Sequence, residues 1–330
     1  MRLWLLLISL ISATCWGQPV HQQIHGHTMG SAYEIHWSTL YPRNPAKLKA
    51  GVEELLVEVN ASMSHFDPES QLSQFNRSEH GTPVDGLFAT VMAEAILLHH
   101  ETHGALDVTI APLVELWGFG AQGETATPPA QSEIEQALAR SGMHRLKLED
   151  QHLVKQSAEL TVNLGAIAKG FAVDQIAELL VQSGIRDFLI NVGGEMRVQG
   201  VKADGSPWRI GIEHPDSEGQ HHLLIIEPGN SAVATSGDYR NYFESAGQRF
   251  SHLIDPRSGM PISNGIASAT VIHSSSMRAD GYATAASVLG VEAALAMATE
   301  LNMALMLVEV RDGQLVLHES PAFVQIRGAG

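Results

Sequence analysis

One cysteine in 330 residues excludes an intramolecular disulfide framework, an iron–sulfur centre and a cysteine-rich zinc site. Basic side chains are also scarce, 20 against 36 acidic ones, for a net charge of −16. With a pI of about 5.4, no basic face is on offer for nucleic acid. After residue 17 there is no apolar run that could span a bilayer, no internal repeat and no low-complexity tract. What is present, 44% hydrophobic residues at a mean hydropathy of 0.00, describes a folded globular chain. The length allows one large domain or two intertwined ones, with an ample core. Seventeen histidines are many, but they are scattered rather than set at metal-ligand spacing.

The first 17 residues read as a separate object. Met1 and Arg2 precede Leu3-Trp-Leu-Leu-Leu-Ile-Ser-Leu-Ile11, and the small residues Ser12, Ala13 and Thr14 follow before Gly17. A basic start, a short apolar stretch and small residues near a cleavage point make a secretory signal peptide. Cleavage after Gly17 leaves one unit, 18–330, and a mature chain that works in the periplasm. Cys15 offers another route, acylation and anchoring to the inner membrane as a lipoprotein, although Ser12 and Thr14 fit that processing box poorly.

Along the mature chain the apolar spacing of Leu48, Val52, Leu55, Leu56, Val59 and Met63 predicts a helix opened by Pro45. Further helices are expected over 87–103, from the capping box Ser132-Glu-Ile-Glu135 to about 142, and over 166–183, 277–289 and 291–301. Strands are expected at 145–149 and 152–155 as a hairpin, then at 160–164, 188–192, 196–198, 208–213, 222–226, 268–273, 304–310 and 315–318. The stretch 121–129 reads as a loop. Helices and strands mix without strict alternation, so the fold class is α+β, mixed sheets flanked by helices.

Five stretches could carry chemistry. Thr161-Val-Asn-Leu-Gly-Ala-Ile-Ala-Lys-Gly170 sets a glycine-bearing turn and Lys169 at a helix start, where free N–H groups favour an anion. The same glycines read equally as turn and packing residues. Asn191-Val-Gly-Gly-Glu195 ends a strand with two glycines, which permit close approach to the backbone, although a bulge with a solvated Glu195 is the plainer local reading. Ala279-Asp-Gly-Tyr-Ala-Thr284 puts Asp280 and Thr284 at i and i+4 on one helical face, the sparse oxygen set that Mg²⁺ accepts when phosphates and waters complete its shell. An acidic residue at a helix start and a packed threonine explain it as well. In Phe250-Ser-His-Leu-Ile-Asp-Pro256, His252 is a general-base candidate or a structural histidine. Gly104-Ala-Leu-Asp107 with Trp117-Gly-Phe-Gly120 either walls a flat ligand or packs the core.

The order of these segments is more informative than any one of them. Met29-Gly30, Met63-Ser-His-Phe66 through Asn76, Gly104–Asp107, 112–120, Gly165–Gly170, Asn191–Glu195, Ala234-Thr-Ser-Gly-Asp-Tyr239, 251–261 and Ala279–Thr284 together resemble the serial motifs of the ApbE family, across about residues 27–310. The resemblance implies a T-fold-related α+β architecture and an FAD:protein FMN transferase. Such an enzyme cleaves FAD, joins FMN through its phosphate to an acceptor threonine and releases AMP. It implies Mg²⁺ held by the Ala166 carbonyl, Asp280 and Thr284. FAD would lie against Met29, Phe66, Ala105, Leu106, Asp107, Asn163, Lys169 and Ile254, with His252 as base. The implied acceptors are extracytoplasmic domains of membrane redox complexes, of the Na⁺-translocating NADH:quinone reductase or Rnf type. Asn163 stands where the family usually has Asp, and Phe66 where Tyr is common. An FAD pyrophosphatase and a non-catalytic FAD-binding protein are the alternative readings.

Overall fold

The computed structural model describes residues 18–121, 123, 127–215, 221–237, 241–245 and 247–328. The proposed leader with Cys15, residues 122 and 124–126 of the 121–129 loop, and Asp238 and Tyr239 lie outside the described residues.

The chain opens with a hairpin, β1 (Val20–Thr28) and β2 (Ser31–Thr39). Met29 and Gly30 connect its strands, both with positive φ (48° and 71°), the backbone that two-residue hairpin turns demand. A helical layer follows: α1 (Pro45–Met63), α2 (Gln71–Arg77), β3 (Gly81–Pro83), α3 (Gly86–Glu101), α4 (Ala111–Leu116) and α5 (Gln131–Arg140). Next come β4 (Leu146–Glu149), β5 (His152–Lys155) and α6 (Ala168–Gln182), then β6 (Asp187–Val192), β7 (Glu195–Gln199), β8 (Ile210–Glu213), β9 (His222–Ile226) and β10 (Ala232–Gly237). The chain ends with β11 (Tyr242–Ser245), β12 (Gln248–Ser251), β13 (Ile266–His273), α7 (Ser276–Leu289), α8 (Val291–Glu300), β14 (Ala304–Arg311), β15 (Gln314–Glu319) and α9 (Pro321–Gly328).

Eight strands form one antiparallel sheet in the order β1-β2-β6-β7-β10-β13-β14-β15. Strand β2 alternates, burying Tyr33, Ile35 and Trp37 on one face and exposing Ala32 and Glu34. Central strands lose that alternation. β13 is buried from Ile266 to Ile272 and β14 from Ala304 to Val308, because both faces of the sheet are covered there. One face meets α1, α3, α6 and α7 in the main core, with Ala269, Val271, Leu305 and Leu307 contributed by the sheet. The other face packs Ile272, Met306 and Val308 against Trp208, Ile210, Ile226 and Phe323. A third, aromatic cluster joins α4 and α5 to the β11–β12 hairpin through Trp117, Phe243 and Phe250.

The α+β expectation holds, with local corrections. Residues 160–164 form no strand. No strand pairs with it: Asn163 donates to the Val108 carbonyl (2.8 Å), and at Val162 the Asn76 side chain receives the N–H on Oδ1 (2.8 Å) and donates from Nδ2 to the carbonyl (2.9 Å). The helix expected from 166 begins at Ala168. The helix expected from the Ser132 capping box has its N-cap two residues earlier, at Ala130, and only half a box forms: the Glu133 carboxylate accepts the Ala130 N–H (2.8 Å), and Ala130 has no side-chain acceptor to reciprocate. The hairpin β1–β2 is an addition; β1 carries only Val20 and Ile24 among polar residues, so its periodicity is weak.

Helices α6 and α7 cross in unusually close contact at Gly170. A Cβ built there would sit 2.3 Å from the Ser276 carbonyl oxygen and 2.7 Å from Met277 Cα, both backbone atoms that cannot swing aside. Gly170→Ala is therefore expected to lower stability by about 1–3 kcal/mol through overpacking. Urea unfolding measures this, and an unchanged midpoint would show that the crossing gives way freely.

Candidate active site

The described cavity with the richest chemistry lies where the start of β7, the end of β10, the starts of α6 and α7, and the loops after α3 and β12 converge. It has a volume of about 400 Å³. Phe66, Ala105, Leu106, Asp107, Asn163, Ala166, Lys169, His252, Ile254, Asp280 and Thr284 all line it. Met29, the remaining predicted contact, is seated at the hairpin tip, half-buried against the main core and outside that lining.

The deep end holds the charges. Asp280, in the second turn of α7, is buried and accepts the Gly170 N–H on Oδ2 (3.1 Å). One helical turn further, Thr284 is half-buried in the same lining. Burial first, then the nearby Glu195 charge, push the Asp280 carboxyl well above its ordinary value; Lys169 and the Gly170 N–H oppose them. Lys169, in the first turn of α6, reaches across to Glu195 at 2.5 Å. Glu195 is 3% exposed, and its second oxygen, Oε2, is buried with no hydrogen-bond partner. An orphaned carboxylate oxygen beside a second buried carboxylate, with a hydroxyl at i+4 and the Ala166 backbone alongside, is a hard-oxygen environment that suits Mg²⁺. Among the described residues no group of three His, Cys, Asp or Glu side chains offers a softer metal site.

Asn163 shapes the approach to that end. Its N–H donates to the Val108 carbonyl (2.8 Å), and its Oδ1 accepts the Gly165 N–H (2.8 Å), closing a turn that presents Gly165 and Ala166 to the cavity. Asp107 points its Oδ1 back at the Thr109 N–H (2.7 Å). The buried Lys155 ammonium braces the preceding loop by donating to the carbonyls of Asn76, Ala158 and Leu160 at 3.0–3.2 Å.

His252 follows β12 and faces the cavity. Its ring Nδ1 lies 2.9 Å from the Asn241 carbonyl, an acceptor, so Nδ1 carries the proton and Nε2 keeps a lone pair. Burial lowers its pKa, and repulsion from Lys169 lowers it further, against the Asn241 hydrogen bond. The imidazole is thereby neutral at pH 7. Phe119 meets the ring edge-on at 6.2 Å between centroids.

The 104–120 segment divides between the two readings open to it. Trp117 is core, 1% exposed, with its indole N–H on the Gly259 carbonyl (2.9 Å). Phe119 lines the cavity. At the mouth, Phe66 is 68% exposed, its ring tilted 40° against that of His65 with 3.9 Å between centroids. Glu195 was within reach of sequence reasoning, because the Gly-Gly pair marked its strand end. Its pairing with a lysine 26 residues earlier was not. Thr235 and Ser236, inside the Ala234–Tyr239 motif, and Asn241 also line the cavity, although the sequence assigned none of the three a role.

Residues 29–307 match the sequence model of the ApbE family. The chain belongs to the ApbE family. Among its ApbE relatives, the FAD:protein FMN transferase of Vibrio cholerae is 42% identical over 320 residues, spanning 95% of this chain and 96% of the relative. That of Haemophilus influenzae is 38% identical over 329 residues, spanning 97% and 95%. The solved flavin transferase ApbE from Vibrio cholerae superposes with a TM-score of 0.87 at 39% identity, covering 93% of this chain and 99% of that one. The apo form of the Pseudomonas stutzeri flavinyl transferase ApbE gives the same TM-score at 37% identity, covering 95% and 98%. The ApbE fold expected from the motifs is thus the fold observed.

An ¹⁵N-edited NMR titration checks the electrostatics of His252. Its midpoint is expected below the ordinary histidine value of about 6.5, and Lys169→Met should raise it by removing the repelling ammonium. A wild-type midpoint above that value would contradict the burial argument.

Proposed function

We propose that this chain is a Mg²⁺-dependent FAD:protein FMN transferase, moving FMN from FAD to a threonine hydroxyl of an acceptor protein and releasing AMP. The observation that carries the reading is the presence, in one cavity of an ApbE protein, of a neutral histidine with a free Nε2 and a buried oxygen set built on Asp280. The Ala166 carbonyl, Asp280 and Thr284 would hold the cation, whose chemistry is to neutralise charge developing on the pyrophosphate. Lys169 adds a fixed positive charge at the same end. His252 Nε2 accepts the proton of the threonine hydroxyl as its oxygen attacks the FMN phosphorus. The bond to the AMP phosphate breaks as the new phosphoester forms. Phe66 and Phe119 supply ring faces and edges near the mouth for the flavin, while Ala105, Leu106 and Ile254 give it apolar walls.

The acceptors we propose are extracytoplasmic domains of membrane redox complexes, of the Na⁺-translocating NADH:quinone reductase or Rnf type. The leader 1–17 would deliver the single catalytic unit 18–330 to the periplasm. N-terminal sequencing of the exported protein should find a start near Gln18, and recovery of Met1 on that protein would overturn the leader assignment. A diacylglyceryl mass on Cys15 would favour the lipoprotein route instead.

Intact mass spectrometry of an acceptor domain after incubation with FAD and Mg²⁺ tests the activity. An FMN adduct is expected. Free FMN and AMP with unmodified acceptor would make the chain a hydrolase, and intact FAD would make it a carrier. Asp280→Ala should abolish turnover. His252→Ala should slow transfer by roughly 10²–10⁴, the usual worth of a general base, while leaving FAD affinity within a few-fold. Loss of FAD binding with normal transfer at saturating FAD would move the base elsewhere.

A further inference from the structure

Glu195 has two oxygens in different circumstances. Oε1 meets the Lys169 ammonium at 2.5 Å, whereas Oε2 is buried and accepts nothing. The side chain enters the cavity from the first residue of β7, just after the Gly193–Gly194 turn, and is 3% exposed. Leaving a carboxylate oxygen buried without a partner is unfavourable, so a group that supplies the missing partner recovers part of that cost on binding. Asp280 brings a second carboxylate to the same end from a different element, close enough for the two charges to oppose each other. Lys169 supplies one positive charge against these two negative ones. A divalent cation between them supplies the rest.

We propose that Glu195 is a further protein ligand of the divalent cation, offering Oε2 alongside Asp280, Thr284 and the Ala166 carbonyl, and that it holds Lys169 in place until the cation arrives. The proposal rests on the metal reading above and extends it to a residue outside that ligand set. It gives the ion pair a purpose beyond packing. With the cation present, Glu195 is shared between two positive partners, and its hold on the Lys169 ammonium weakens. That ammonium then turns more readily to the substrate pyrophosphate. Cation and FAD should accordingly bind with positive coupling, each favouring the arrangement that suits the other.

The probe is Mn²⁺ in the absence of FAD, with affinity read by electron paramagnetic resonance and cation-bound waters counted by water-proton relaxation. Glu195→Gln should weaken Mn²⁺ roughly 10–100-fold, the loss typical of a removed partner at a metal site. It should also add one cation-bound water, because water replaces the lost oxygen. Glu195→Asp keeps the charge but withdraws the oxygen by one methylene, so it should add the same water with a smaller loss of affinity. Unchanged Mn²⁺ affinity in both variants would overturn the proposal. So would weaker binding with an unchanged water count, which would make Glu195 a charge acting at a distance. Asp280→Asn separates the two levels of inference: if that variant binds Mn²⁺ as the wild type does, the cation site itself is misplaced. If it loses Mn²⁺ while Glu195→Gln does not, only the role of Glu195 fails.

Discussion

The site depends on one carboxylate that does not belong to it. Asp174, two turns into α6, faces the start of α7 and accepts the N–H groups of Ser276 (2.9 Å) and Met277 (3.1 Å) together with the Ser275 hydroxyl (2.7 Å). Its Oδ1 also meets Arg197 of β7 at 2.5 Å. A helix start leaves several N–H groups without intrahelical partners, and here a neighbouring helix satisfies two of them. The same side chain thereby ties together the three elements that supply Lys169, Asp280 and Glu195. Breaking a half-buried charged network of this kind typically costs about 3–5 kcal/mol. More relevant to function, it would free α6, α7 and β7 to drift independently.

Gly170 completes that constraint. Because it has no Cβ, the α6 backbone comes within reach of α7, and its N–H finds Asp280 Oδ2. Close helix approach and carboxylate placement are thus one event. A further lock lies on the other flank of α7, where Arg278 pairs with Glu94 (3.2 Å) and, with Tyr282, with Glu101 of α3. Asp280 sits between these two anchors. Its pKa is raised by burial because the helix cannot move it toward water, and a buried carboxylate held at a raised pKa binds a cation well once the proton leaves.

Periodic features of this chain were legible and cross-chain ones were not. Leu48 through Met63 announced α1 because its apolar stripe repeats at helical spacing, and the Asp280–Thr284 pair followed from helical geometry alone. The 160–164 segment misled for a definite reason. Its apolar alternation is real, with Leu160, Val162 and Leu164 buried, but at Val162 the backbone partner is the Asn76 side chain rather than a strand. No local rule distinguishes those two ways of satisfying an extended backbone. The Lys169–Glu195 pair and the Asp174 network join residues distant in sequence, and the division of Trp117 from Phe119 is set just past the end of α4, where no helical periodicity applies. The order of the family motifs carried that missing information, because it implies a shared fold in which those distances are already closed.

The two departures from the family pattern fall where the structure tolerates them. At Asn163 the carbonyl oxygen Oδ1 closes the turn to the Gly165 N–H, the bond an Asp oxygen would make in the same place. The turn that presents Ala166 is therefore kept, and what is lost is one negative charge next to the place proposed for the pyrophosphate. That loss favours an anionic substrate, since Asp280 and Glu195 already place two carboxylates there against Lys169. Phe66 stands at the mouth, 68% exposed and tilted against the His65 ring, so a tyrosine hydroxyl there would point to water or to the proposed flavin rather than to the buried charges. Its absence removes a rim hydrogen bond and keeps the ring. Neither change touches the Asp174 network or the α6–α7 crossing, and those two features set the positions of the groups proposed to carry the reaction.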